Sequence, residues 1–243
     1  MKPAEYYQGN EQTYIKHFFL ERYLETVAFH IGYSFREFVY VDCFSGPWRS
    51  ADQALADTSI RIALDTLNYV VKALAVQQRP VTARAIFVER DRDAYRNLEI
   101  ALTQFSGRVV TKALPGTFEE NIPKILDAVG QAFAFFFIDP KGWKGFAMES
   151  ISPILRHRPG EVMVNFMYDF INRFINYPDP ANEASLDLCF GTKEWRSIRN
   201  SRDRELASVD CYKEQLRAAG AFPYVTSTRV LSRLLKSDYF GLQ

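Results

Sequence analysis

A chain of 243 residues, 47% of them hydrophobic, can bury one large core, and its length alone permits one domain or two. Its 30 Lys and Arg residues almost cancel its 29 Asp and Glu residues, which excludes a global field drawing it onto nucleic acid or membrane; any such affinity must be local. Isolated cysteines (Cys43, Cys189, Cys211) and scattered histidines (His17, His30, His157) offer no metal-ligand spacing, so no metal site is expected. The N-terminal residues have no basic stretch leading into an apolar one, and no run approaches the ~18 apolar residues of a membrane helix, so the expectation is a soluble cytoplasmic protein.

Residues 13–31 place Phe18, Phe19, Tyr23, Leu24, Val27, Ala28 and Ile31 at helical spacing, predicting an amphipathic helix that flanks a sheet and ends at Gly32. Residues 38–43 (FVYVDC) are β-branched and aromatic and run into Phe44, Ser45, Gly46, Pro47 and Trp48, a first strand followed by a tight loop. Asp57, Thr58 and Ser59 supply capping side chains for a second helix that carries apolar residues to Leu74 and is closed by Pro80. A short buried strand at 85–88 ends in Glu89, and a helix follows through Tyr95, Leu98 and Leu102. A third strand occupies 109–114, and Gly116, Thr117 and Phe118 open a helix at 119–129. Phe135, Phe136, Phe137 and Ile138 are too continuously apolar for a strand with one wet face and predict a central strand covered on both sides, with Asp139 at its carboxyl end. A helix at 148–155 and a strand at 161–167 complete five strand–helix alternations, the pattern of a doubly wound parallel sheet with right-handed crossovers.

Beyond the fifth strand the periodicity weakens. Residues 168–204 are first aromatic and proline-broken, then basic, and read as an insertion or cap over the strand ends. Within them Lys193, Arg196 and Arg199 form either a local basic patch for nucleic acid or a solvated helical face. A helix at 205–219, a strand at 224–231 and a last strand at 239–242, stopping at Gln243, leave the final antiparallel hairpin incomplete. The organisation expected is a single domain over 1–243: a helical flank (1–35), a core (36–167), the insertion (168–204), and a C-terminal helix with strands (205–243).

Three carboxylates fall at predicted strand tips, where open α/β sheets bind their ligands. Asp42 accepts hydrogen bonds either from a ligand amine or from its own loop. Glu89 either grips two ribose hydroxyls with its two oxygens or pairs with Arg90 or Arg92. Asp139 and Pro140 form either a target pocket or a turn, with Trp143 packing on the insertion.

Taken together, the run from Val41 to Gly46, Glu89, the Gly116-Thr117-Phe118 turn and the Asp139-Pro140 pair resemble the class I S-adenosylmethionine-dependent methyltransferases over about residues 38–167. More narrowly, KHFFLERYL, YVDCFSGP, FVERD, FFIDPKGWKG and NRF look like the three-Cys-motif partner proteins, a bacterial family with a methyltransferase-like fold, over nearly the whole chain. The wider resemblance implies a Rossmann-like, mostly parallel sheet and S-adenosylmethionine as cofactor. Phe44, Ser45 and Gly46 would lie under its methionine end, Asp42 near its amino group, Glu89 on its ribose, and Thr117 and Phe118 beside its adenine. Trp48 stands where the class has a further glycine, and its ring would crowd the methionine end, weakening or abolishing cofactor affinity, unless it swings outward.

The Asp139-Pro140 pair resembles the acid-proline-proline-aromatic motif of amino-methyltransferases. That implies a carboxylate and a proline carbonyl holding an exocyclic amine for in-line transfer, with Trp143 stacking on an unpaired or flipped ring. Lys141 replaces the second proline; repelled by a sulfonium, its ammonium points outward toward a phosphate, and Lys144 and Arg173 join it as substrate-binding residues. The expected function is N-methylation of a nucleic-acid base or related ring. The alternative is a non-catalytic partner that docks on a three-Cys-motif protein. A NAD-linked reductase fits less well, because Gly46 is a single glycine where a dinucleotide fingerprint needs three.

Overall fold

In the computed structural model, the described residues are 4–8, 11–46, 58–177, 179–231 and 237–242. They fall into two compact units, one comprising Met1–Phe137 with Arg158–Gly160 and the other Ile138–His157 with Glu161–Gln243.

The first unit opens with a short 3-10 helix, Ala4–Tyr7, and then alternates α1 (Glu11–Ser34), β1 (Glu37–Asp42), α2 (Ser59–Val76), β2 (Thr82–Glu89), α3 (Arg92–Gln104), β3 (Val110–Pro115), α4 (Phe118–Val129) and β4 (Phe133–Ile138). Its strands lie in the order β3-β2-β1-β4 and every pairing is parallel, as right-handed βαβ crossovers require. Asp42 is in register with Phe87 on one side and Phe137 on the other, while Glu89 is in register with Pro115. Asp42 and Glu89, two of the carboxylates predicted at strand tips, are therefore delivered to one edge by register.

All six residues of β4 are buried. Phe135 stacks on Tyr40 of β1 with ring centroids 6.1 Å apart, and Tyr23 of α1 covers it at 6.0 Å. Burial of each such side chain stabilises the unit by roughly 1.5–3 kcal/mol, so this aromatic layer fixes where α1 sits. Gly32 does not end α1, as expected from sequence; the helix runs on to Ser34. A Cβ at Gly32 would run into Leu74 Cδ1, so this glycine serves the close approach of α1 to α2.

The second unit contains α5 (Met148–Leu155), β5 (Gly160–Phe166), α6 (Tyr168–Ile175), α7 (Pro180–Phe190), a 3-10 helix (Glu194–Asn200), α8 (Arg204–Gly220), β6 (Thr226–Leu231) and β7 (Ser237–Leu242). β7 pairs antiparallel with both β5 and β6. The terminal hairpin expected to be incomplete is thus a full ladder running from Thr226 opposite Leu242 to Leu231 opposite Ser237. The last strand begins at Ser237 rather than Tyr239, because pairing sets its start where local propensity is weak.

The Lys193, Arg196 and Arg199 patch also reads differently in three dimensions. These residues belong to a 3-10 helix and its N-cap, and the two arginines lie 5.1 Å above the ring of the fully buried Trp195. Arg196 pairs with Asp187 at 2.7 Å and Arg199 with Glu183 at 2.5 Å, so acids of α7 neutralise both. They cap a tryptophan and are not a free basic face.

The first unit has the expected Rossmann-like pattern, parallel strands alternating with flanking helices. Among the described residues no helix is long and apolar enough to cross a membrane, and no group of three or more His, Cys, Asp or Glu side chains is placed to hold a metal ion.

Candidate functional site

In the first unit the candidate residues gather at the carboxyl ends of β1, β2 and β3. Asp42 is fully buried, with Oδ1 accepting from the Phe44 N–H at 3.1 Å and Oδ2 accepting from the Ser59 hydroxyl at 3.1 Å. The Ser45 hydroxyl donates back to the Asp42 carbonyl at 3.2 Å, and the Ser45 N–H donates to the Val88 carbonyl at 2.9 Å. Of the two readings open from sequence, Asp42 therefore takes the structural one: its carboxylate ties its own loop to the start of α2. Gly46 is half-buried just beyond. Trp48, whose ring bears on the methionine end in the sequence reading, lies outside the described residues.

Glu89 behaves differently. It is 4% exposed; its Oε1 accepts from the Asp91 N–H at 2.7 Å, while its buried Oε2 has no hydrogen-bond partner among the described residues. Arg90 and Arg92, the partners considered from sequence, are exposed on the following turn and form no salt bridge with it among the described residues. Burial pushes the carboxyl above its ordinary range, and the Asp91 amide offsets only part of that. An orphaned buried acceptor costs about 1–3 kcal/mol, more when charged, so this oxygen calls for a donor that a water or a ligand can supply.

Next to Glu89, the Gly116 N–H donates to the Glu89 carbonyl at 3.0 Å, at φ +106°. A Cβ there would approach Asn121 Nδ2 to 3.2 Å and Glu120 Oε2 to 3.3 Å, so both space and conformation require glycine. Thr117 closes a capping box on α4, its hydroxyl oxygen accepting from Glu120 N–H at 3.3 Å while Glu120 Oε2 accepts from Thr117 N–H at 3.1 Å. That duty accounts for Thr117 without a ligand; Thr117→Ala should lower the unfolding free energy by about 1 kcal/mol, measured by urea denaturation. Phe118, 2% exposed, meets Phe44 edge-to-face at 5.5 Å, which joins the ends of β1 and β3. Asp42, Phe44, Ser45, Glu89 and Phe118 thus form one cluster, built from residues far apart in the chain.

In the second unit Asp139 accepts from the Asn165 side-chain amide at 2.6 Å. Asn165 is fully buried, and its Oδ1 has no hydrogen-bond partner. Pro140 is buried, whereas Lys141 and Lys144 are exposed. Gly142, at φ +102°, donates its N–H to Met167 Sδ at 3.1 Å. Trp143 does not stand open for a target ring. It is 8% exposed, its Nε1 donates to Ser185 Oγ on α7 at 2.9 Å, and its ring lies 4.7 Å from that of Phe174 on α6. The indole packs on the insertion, one of the two readings open from sequence, because burial and a satisfied N–H both favour it there. Arg173 is exposed, its guanidinium 5.5 Å above the ring of Phe170.

Asn165 and Ser185 were not singled out from sequence, and Ser59 only as a capping candidate for α2. Asn165 had a visible signal, being the one polar side chain in the apolar VMVNFM run, at a strand's carboxyl end. The Ser59–Asp42 and Ser185–Trp143 bonds had none, since the partners come from other elements. Burial pushes Cys189 up to about 12 and Cys211 to about 11, so neither is a nucleophilic thiolate at neutral pH.

No protein-family model and no curated protein matches the sequence. Among solved structures, the chain is similar to the O-methyltransferase TomG from Streptomyces achromogenes, in complex with SAM, at 16% identity over 91% of this chain and 77% of that one, with a TM-score of 0.47. It is likewise similar to an O-methyltransferase from Bacillus cereus in complex with SAH, at 13% identity over 91% and 78% of the two chains, with a TM-score of 0.45. The cofactor-bound Rv0187 from MTB is similar at 16% identity over 91% and 77%, with a TM-score of 0.45.

Proposed function

We propose that this chain is an S-adenosylmethionine-dependent methyltransferase. The observation that carries the reading is Glu89, a buried carboxylate at the tip of β2 with one oxygen held by its own turn and the other, Oε2, unpartnered. A vicinal diol supplies the donor that this oxygen lacks. The Phe44–Phe118 pair offers an apolar edge for a purine, and the Ser45–Gly46 backbone comes without bulk between it and a ligand. Asp42 enters this reading as a positioning residue that holds the loop.

When bound, the cofactor supplies a methyl group already activated on a sulfonium, so what the chain must contribute is orientation. Asp139, anchored by Asn165, with the Pro140 carbonyl, is assigned to the N–H groups of an acceptor amine on a nucleic-acid base or related ring. Hydrogen bonds to both N–H groups direct the nitrogen lone pair away from the ring plane. Asp139→Ala is expected to lower labelled-methyl transfer about a hundredfold while S-adenosylmethionine binding is retained. Full activity in that variant removes Asp139 from the mechanism.

A second reading is a cofactor-binding partner of a three-Cys-motif protein that transfers no methyl group. It is favoured by the inward engagement of Trp143, which takes the aromatic of the acceptor motif out of use. S-adenosylmethionine binding with no methyl transfer to single-stranded DNA, RNA or cell lysate selects it.

A further inference from the structure

The loop after β4 carries cations that pair with no carboxylate among the described residues. Lys141 and Lys144 are exposed on either side of the buried Trp143, and the backbone between them is pinned by the Trp143–Ser185 and Gly142–Met167 hydrogen bonds. Trp143 rests on Phe174, and Arg173, its neighbour on α6, lies over Phe170, which is 37% exposed. Phe170 and Phe174 are four residues apart and so share a helical face, which brings Arg173 and Phe170 beside the pinned loop. Lys141, Lys144 and Arg173 make no salt bridge among the described residues, in contrast to Arg196 and Arg199. The acids of the same two segments are Asp139, engaged by Asn165, and the half-buried Asp169.

We infer that this rim binds single-stranded nucleic acid, with backbone phosphates on Lys141, Lys144 and Arg173 and an unpaired base on the Phe170–Arg173 platform. Flexible ammonium groups suit phosphates as point charges, and a guanidinium laid flat on a ring presents a surface on which any base can stack. Base faces are open only where strands are unpaired, so single strands are preferred to duplex. A lipid surface would call for exposed apolar anchors beside the cations, whereas this rim presents one aromatic paired with a guanidinium. The inference rests on the methyltransferase reading in that it names the substrate class of Asp139, but binding requires no cofactor, so the two fail separately.

The test is fluorescence anisotropy of the intact protein with a labelled single strand of about 12 nucleotides, as DNA and as RNA, and with the corresponding duplex. Saturable single-strand binding is expected to weaken about eighteenfold between about 50 and about 200 mM salt, the loss for three phosphate contacts at a slope of about −0.7 each. Phe170→Ala is expected to weaken binding about tenfold without changing the salt slope. A Lys141→Ala, Lys144→Ala double variant is expected to flatten the slope by about 1.4. The inference is overturned by absence of saturable binding, by unchanged binding in these variants with a native circular dichroism spectrum, or by preference for duplex or for anionic phosphatidylserine vesicles. Oligonucleotide binding without S-adenosylmethionine binding would keep this inference and sink the enzyme reading; the reverse pattern would sink this one alone.

Discussion

Glu89→Ala should weaken S-adenosylmethionine binding at least about a hundredfold, because it removes two charge-assisted hydrogen bonds, each contributing about 1.5–3 kcal/mol, where about 1.4 kcal/mol is tenfold. Glu89→Gln, which keeps one acceptor oxygen, should cost about tenfold. Acidity supplies an internal control. Burial holds the free protein's Glu89 above the ordinary carboxylate range, and ribose hydroxyls donate to its ionised form. Affinity should therefore rise with pH through that raised value and level off above it, and Glu89→Gln should flatten the profile. For stability the sign is opposite. The native state holds this proton more tightly than the unfolded chain does, so ionising Glu89 costs stability as pH rises from the ordinary carboxylate value to the raised one. Both trends follow from one unpaired oxygen. Wild-type affinity in Glu89→Ala, measured calorimetrically, would mean that the tip of β2 does not contact the cofactor.

Trp143→Ala should destabilise the second unit by about 3–5 kcal/mol, since it empties a large buried site against Phe174 and leaves the Ser185 hydroxyl without its donor. Trp143→Phe keeps most of the packing and loses the hydrogen bond, for about 1 kcal/mol. Urea midpoints read both. An alanine variant with wild-type stability but no methyl transfer would restore the indole to the acceptor side and contradict its placement as a structural anchor.

Local chemistry made much of this fold legible. The β4 run announced a wholly buried strand, the residues at 148–155 coincide with α5, and Thr58, Asp91 and Thr117 cap helices as their side chains suit them to do. Strand-tip carboxylates were readable because each ends an apolar run. What could not be read depended on a partner remote in sequence. Gly32 looks like a helix terminator until Leu74 lies against it, and Arg196 and Arg199 look like a free basic face until Glu183 and Asp187 are opposite them. The same holds for the direction of Trp143 and for the division of labour between Asp42, which is satisfied by its own loop and Ser59, and Glu89, which is not. Type and spacing placed both acids at strand tips; only their hydrogen-bond partners tell them apart.

The reading of Glu89 as a cofactor ligand meets its most direct test in isothermal titration of the intact protein with S-adenosylmethionine. The account predicts saturable binding that is lost in Glu89→Ala. No heat of binding up to about 1 mM ligand, an affinity weaker than about −4 kcal/mol, would contradict it.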